Sequence, residues 1–353
     1  MEVKYLDLQS QFKENREVRQ VIDEILSSGQ FVMGPAIEEF ERNFAELCGV
    51  RHAVGVSSGT AALFLALKVL GIGAGDEVIT PPNTFLATVG AIVHTGAFPR
   101  LVDVADDYNI DPGKIETAIN EKTRAIVPVH LTGNPARMDE ILAIAEKHNL
   151  PVIEDSCCAI SAKINGKYAG TFGAGGAFSV HPLKNLNVWG DGGFIVTDSK
   201  DIYQKILLLR NHGLKNRDEV EIFGYNARLD TIQAIVGNYL YPKIDEITDR
   251  RIANAKRYDE AFVSPELSEY ITLPPRRPEA RHVYHMYMVR VEGRDKLLDY
   301  LIDREIEAKV HYPIPMHLQQ ASLDQDPPFG RTDLSRTEAQ CRSLITLPVH
   351  QHL

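Results

Sequence analysis

The chain has 353 residues, 44% hydrophobic and 24% charged, and 38 basic against 48 acidic side chains give a formal net charge of −10. That length implies about two domains. The acidic balance, with no basic cluster, excludes a nucleic-acid surface, and the lack of any run of about 18 apolar residues excludes a membrane span.

The opening stretch, MEVKYLDLQSQFKENREV, is polar and acidic, unlike a secretory leader. Helical spacing follows at Val18, Ile22, Ile25 and Leu26, then at Ile37, Phe40, Phe44 and Leu47, with the loop SSGQFVMGP between them. Short apolar runs come next: Ala53–Val56, Glu77–Thr80, Arg100–Val104, Ala125–Val129 and Pro151–Glu154. Helical-period segments separate them: Ala61–Leu70, Leu86–His94, Ile115–Ile119 and Ala136–His148. Two further strand-like runs, Gly176–Val180 and Gly193–Thr197, enclose a Gly-flanked connection that carries Lys184. The pattern predicts an α/β fold with a largely parallel sheet buried on both faces. Residues 230–259 read as long helices leading out of this domain. His285–Val291, a helix from Arg294 to Glu305 and the run Lys309–Tyr312 predict a smaller C-terminal α/β domain, so the expected division is 1–240 and 241–353. The four cysteines, Cys48, Cys157, Cys158 and Cys341, have neither disulfide nor zinc spacing, which fits a reducing cytoplasm.

Ligands of such sheets sit beyond the carboxyl ends of the strands. The polar residues there are therefore the candidates: Ser57, Ser58, Gly59 and Thr60; Pro81, Asn83 and Thr84; His130; Asp155; Ser179. Ser58-Gly59-Thr60 at a strand-to-helix turn forms an anion site from free helix amides, or merely a helix cap. Phe85 at a helix start is placed to stack on a flat ring, or to fill core. Asp155 reads equally as a cap, an ion pair or a partner for a ring nitrogen. A lysine and an aspartate delivered to one cleft suit a pyridoxal phosphate enzyme, with Lys184 holding the aldehyde and Asp155 pairing with the protonated pyridine. His181 and His212 lack partners at metal-ligand spacing. GIGAGDE (Gly71–Glu77) fails the dinucleotide fingerprint, and there is no Walker lysine and no nucleophile-elbow serine.

Taken together, the segments GQFVMGPAIEEFERNFAELCGVRHAVGVSSGTAAL, GDEVITPPNTFLAT, AIVPVHLTG, VIEDSCCA, FSVHPLKNLNVWGDGG, LLRNHG and GYNARLDTIQAIVG resemble the DegT/StrS-type family of sugar aminotransferases. The resemblance runs over nearly the whole chain and implies the aspartate-aminotransferase fold (fold type I) and the cofactor pyridoxal 5′-phosphate. It implies that Lys184 binds the cofactor aldehyde, that Asp155 contacts the pyridine nitrogen, and that Gly59, Thr60 and Ser179, beside Ser58, hold the phosphate under a stacked Phe85. Asn226 matches the asparagine that reaches the phosphate of a neighbouring subunit, implying a homodimer with shared sites. His181, Tyr312 and His317, with His311 and Gln319, are expected to face the substrate. The implied reaction takes nitrogen from an amino acid, L-glutamate being expected, and gives it to a ketosugar, with a nucleotide-linked hexose as the default acceptor. A ketocyclitol, a keto acid sugar and a non-catalytic protein retaining the fold remain alternatives. Lys184 argues against the family's dehydratases, which carry histidine there.

Three departures from the family pattern stand out. Cys158 replaces a glutamine that reaches the cofactor's phenolic oxygen, and a thiol is a weak donor. Asp191 replaces a glutamate in Gly190-Asp191-Gly192-Gly193. The chain stops at LPVHQHL, where a last helix is expected, so the second domain is read as truncated.

Overall fold

In the computed structural model, which describes residues 2–330 and 332–353, seven strands form the centre of the chain. They are β1 (His52–Val56), β2 (Glu77–Thr80), β3 (Phe98–Leu101), β4 (Thr123–Ile126), β5 (Ile153–Asp155), β6 (Gly175–Ser179) and β7 (Gly193–Thr197). Two ladders, β1-β7-β6-β5 and β3-β2-β4, are joined by parallel bridges Ile126–Val152 and Val129–Asp155. The strands β2, β6 and β7 are buried along their whole length, which explains their unbroken apolar character.

The sheet is mixed. The pairs β2–β3, β2–β4 and β5–β6 are parallel, whereas β7 is antiparallel to both β1 and β6. The connection 180–192 contains no helix and folds straight back, and a parallel return needs a crossover. The predicted runs Arg100–Val104 and Ala125–Val129 are paired earlier, over Phe98–Leu101 and Thr123–Ile126. Their later residues stay buried and keep single backbone contacts, from Val102 N–H to the Thr80 carbonyl and from Val127 N–H to that of Ile79. Burial outlasts regular pairing there, and apolar character reports only burial.

Helices cover both faces. On one side Pro35–Cys48 and Thr231–Leu240 pack against Phe178, Val196 and Phe194, with the Phe44 and Phe194 rings stacked at 4.1 Å between centroids. On the other, Gly59–Val69 and Leu86–Thr95 bury Leu63, Leu67 and Ile92 against Val54, Ile153 and Ile195. Each such large apolar side chain contributes about 1.5–3 kcal/mol on burial.

After Leu240 the helix Ile244–Phe262 leads to a second core. There Tyr287–Val291 pairs antiparallel with Ile271–Thr272 and Leu344–Leu347 around Ala255, Val289 and Ile345. The predicted run Lys309–Tyr312 forms no strand; only Lys309 pairs, with Thr346. Asp103, just past β3, accepts from the backbone and hydroxyl of Thr337 and from Lys114, fastening the helix Ser335–Ser343 to the sheet. The chain's first residues join this part: Val3 bridges Ile306, and the Lys4 carbonyl accepts from His350 Nε2. Val349, His350 and Gln351 are buried. Among the described residues, no helix is long and apolar enough to cross a membrane.

Candidate active site

The carboxyl ends of the strands, the connection 180–192 and residues of the second core enclose a cavity of about 350 Å³. Lys184 enters it from an arch whose feet are tied together, with Val180 N–H donating to the Gly192 carbonyl and Val188 N–H to that of Val180. Within the arch Lys184 N–H donates to the His181 carbonyl, and Asn187 Nδ2 donates to the Lys184 carbonyl at 2.8 Å. The amine Nζ lies 3.4 Å from Cys158 Sγ and 3.5 Å from His285 Nε2.

Asp155 ends β5 and is buried, facing the cavity with a fixed carboxylate. Its Oδ2 accepts from Thr88 Oγ1 at 2.6 Å and its Oδ1 from Cys157 N–H at 3.1 Å. Thr84 Oγ1 lies 2.6 Å from Thr88 Oγ1. A carboxylate only accepts, so Thr88 spends its proton on Asp155 and Thr84 must donate to Thr88. This relay of two hydroxyls is cooperative. The substitution Thr88→Val keeps the shape and removes the relay. Cofactor affinity, measured by equilibrium dialysis of pyridoxal phosphate, is expected to fall about tenfold, the scale of one hydrogen bond to a charged group. Unchanged affinity would show that the relay does not orient Asp155.

The helix Gly59–Val69 points its N-terminus at the same cavity, and Ser58 Oγ caps it by accepting from Ala61 N–H at 3.1 Å. The cap reading holds for Ser58, and the first amides of the helix face the same cavity, where an anion would meet them. A Cβ on Gly59 would lie 2.7 Å from Ser179 Cβ and 2.9 Å from Cys157 Sγ, so only glycine lets β6 come this close. The cradle of Gly59, Thr60 and Ser179 fits a phosphate, the buried Asp155 fits a protonated ring nitrogen, and Lys184 fits an aldehyde. Phe85, 53% exposed, lines the cavity beside Tyr312 at 6.2 Å between ring centroids. The residues present thus match pyridoxal phosphate in donor chemistry.

Of the predicted site residues, Ser58, Gly59, Thr60, Phe85, Asp155, Cys158, Ser179, His181, Lys184 and Tyr312 all line this cavity. His317 does not: it is buried 3.2 Å from Glu338 Oε1. Asn226 is exposed and lies outside the cavity of its own chain, in a backbone bridge with Asn211. Sequence reasoning missed Tyr5, Thr88 and His285, which also line it. Tyr5 arrives from the first residues of the chain, where no local pattern signals a site.

Burial sets the charge state of the walls. Desolvation pushes the Cys157 and Cys158 thiols up, so they are neutral at pH 7. Desolvation, aided by Lys309 and Lys184, brings His311 down to about 4, and burial also lowers His181. The phenols of Tyr5 and Tyr312 are raised, again chiefly by burial. Around Lys184 and Asp155 the cavity therefore presents neutral phenols and imidazoles.

Compared with known proteins, residues 13–353 match the DegT/DnrJ/EryC1/StrS aminotransferase family. The chain is 37% identical to a pleiotropic regulatory protein of Geobacillus stearothermophilus, covering 100% of this chain and 95% of that one. It is 40% identical to the dTDP-3-amino-3,4,6-trideoxy-alpha-D-glucose transaminase of Streptomyces venezuelae, over 99% of this chain and 92% of the relative. The crystal structure of S. venezuelae DesV, in complex with a ketimine intermediate, superposes with a TM-score of 0.94 at 39% identity, covering 100% of this chain and 94% of that one.

Proposed function

Since the chain belongs to the DegT/DnrJ/EryC1/StrS aminotransferase family, we propose that it moves an amino group from an amino acid to a ketosugar carried on a nucleotide, with pyridoxal 5′-phosphate as cofactor. The observation that carries this reading is the meeting of Lys184, the buried Asp155 and the amide-rich turn at Gly59 in one cavity. The S. venezuelae relative named for a dTDP-amino sugar supports the acceptor class.

When bound, the cofactor supplies an electron-withdrawing ring that makes the amino acid's α-hydrogen acidic. The chain's own residues do the rest. Asp155, aligned by Thr88, holds a proton on the ring nitrogen. Gly59, Thr60 and Ser179 bind the phosphate at a helix N-terminus, and Asn226 of a second copy completes that site in a homodimer. Phe85, which lines the cavity, would cover one face of the ring. Lys184 would hold the aldehyde and, as a free amine, would take the proton from the amino acid's α-carbon and deliver it to the cofactor's exocyclic carbon. L-Glutamate is the donor in this reading, with residues 1–240 carrying the cofactor and 241–353 closing the cavity. Tyr5, His181, His311 and Tyr312 offer neutral hydrogen-bonding groups to sugar hydroxyls.

The test is spectroscopic. Purified protein mixed with pyridoxal phosphate should show an absorbance near the visible edge that glutamate bleaches, and a keto-sugar acceptor should restore it. A protein whose spectrum ignores glutamate is not this enzyme.

A further inference from the structure

Lys184 must hold the cofactor, release it and return within each cycle of the reaction proposed above, so something must keep the freed amine in place. We propose that His285 is the positioning residue that does this, its Nε2 accepting a hydrogen bond from the Lys184 amine. This inference deepens the aminotransferase reading and names a residue outside the predicted set.

The geometry carries it. The Nε2 of His285 lies 3.5 Å from Lys184 Nζ, and both residues line the cavity. Cys158 Sγ, 3.4 Å from Nζ, is the amine's other partner. If Nε2 accepts, the ring proton sits on Nδ1, and Nδ1 is buried with no hydrogen-bond partner among the described residues. An unpaired buried N–H is costly, so the ring's orientation toward Lys184 is set by its surroundings and not by its own best hydrogen bonding.

Those surroundings are rigid. Arg251 NH1 donates to the carbonyls of Tyr284 at 3.2 Å and of His285 at 3.4 Å, fixing the backbone behind the ring. From the other side, Val283 N–H donates to the Gly133 carbonyl, Met286 N–H to that of Thr132, and Asn185 Nδ2 to the Val283 carbonyl. Gly133 makes the approach possible, because a Cβ there would lie 2.7 Å from Val283 Cγ2 and 2.9 Å from the Cys158 carbonyl. One staple thus binds residues 283–286 to the loop behind Cys158 and to the arch that bears Lys184.

The charge state suits the task. Burial holds His285 well below the ordinary imidazole range, and the neighbouring Lys184 and Arg251 cations add to it, so the ring is neutral at pH 7. Arg251 itself, buried, falls to about 10 and stays charged. A carboxylate in this place would trap an ammonium as an ion pair. A neutral imidazole holds the amine and lets it leave.

The test compares His285→Phe, which removes the acceptor, with His285→Gln, which keeps one. The titratable groups around the amine are Asp155, Cys157, Cys158, His181, His285 and His311, and only His285 is changed. In the full chain freed of cofactor, the pH midpoint for acylation of Lys184, followed by mass spectrometry, should fall by about one unit in the Phe variant because an acceptor stabilises the ammonium. In the loaded enzyme kcat should fall about tenfold with KM unchanged, and His285→Gln should resemble the wild type in both respects. Should the Phe variant fail to fold, His285→Asn, whose oxygen falls about one bond short, takes its place. A wild-type midpoint in the variant lacking the acceptor, or a Gln variant as impaired as Phe, overturns the inference. If glutamate leaves the cofactor spectrum untouched while the midpoint still shifts, the Lys184–His285 contact stands and the transamination reading falls.

Discussion

Replacing Lys184 with alanine is expected to lower turnover by about 10⁴-fold, the upper end of what a positioned acid–base group contributes. The same variant should lose the absorbance near the visible edge, because no other amine among the residues lining the cavity can take the aldehyde. Cys158 and His285 would both lose their partner. The fold should not suffer, since removing an amine from the cavity wall also removes its desolvation penalty. Steady-state assay with glutamate, the absorption spectrum and a melting curve separate these effects. A variant that keeps both colour and turnover would show that Lys184 is a bystander.

The second large effect is expected at Asp155. Asp155→Asn is nearly isosteric, yet it confronts two fixed donors, Thr88 Oγ1 and Cys157 N–H. An amide NH₂ at the Oδ1 position would face the Cys157 N–H, donor against donor. The amide will therefore turn its NH₂ to Thr88, whose hydroxyl must reverse and disturb Thr84. The neutral group can no longer hold a proton on a pyridine ring. Breaking a buried charge pair costs about 3–5 kcal/mol, so kcat for glutamate should drop by about 10²–10⁴-fold. Cofactor should still bind through the phosphate cradle. Stopped-flow measurement of the glutamate half-reaction checks this, and a rate within tenfold of the wild type would remove Asp155 from its assigned role.

Much of this arrangement is legible in the sequence. The strands Glu77–Thr80 and Gly193–Thr197 fall where their apolar runs lie, and Ser58 caps the helix its position announced. Asp155 stands at the end of β5 and Lys184 in the Gly-flanked connection after β6, places where polar residues have a short list of uses, and both line the cavity. The direction of β7 was not legible, because a run of buried side chains reads the same either way. Thr88 was hidden in LATVGAIVHT, where a buried hydroxyl on an apolar helix looks like filler. His285 stood at the head of HMYMVRV and was read as strand; the paired residues begin only at Tyr287. Its contact with Lys184 spans a sequence separation of 101, beyond the reach of any local pattern. Cys158 is a different case. Sequence flagged it as a poor replacement for a donor, and in the structure its sulfur accepts from Lys184 instead.

The antiparallel return of β7 has a consequence for how the protein tolerates damage. A segment that leaves one strand and comes home along its immediate neighbour spans a gap of only about 4.8 Å. Its span is therefore set by the sheet, and its height by the number of residues it holds. Deleting one residue between Asn185 and Trp189 would turn the side chain at 184 away from the hollow and shift the buried Leu186 and Val188 out of register with the core. The result should be a colourless protein with a lowered melting point. The number of residues in this connection is thus as constrained as the identity of residue 184.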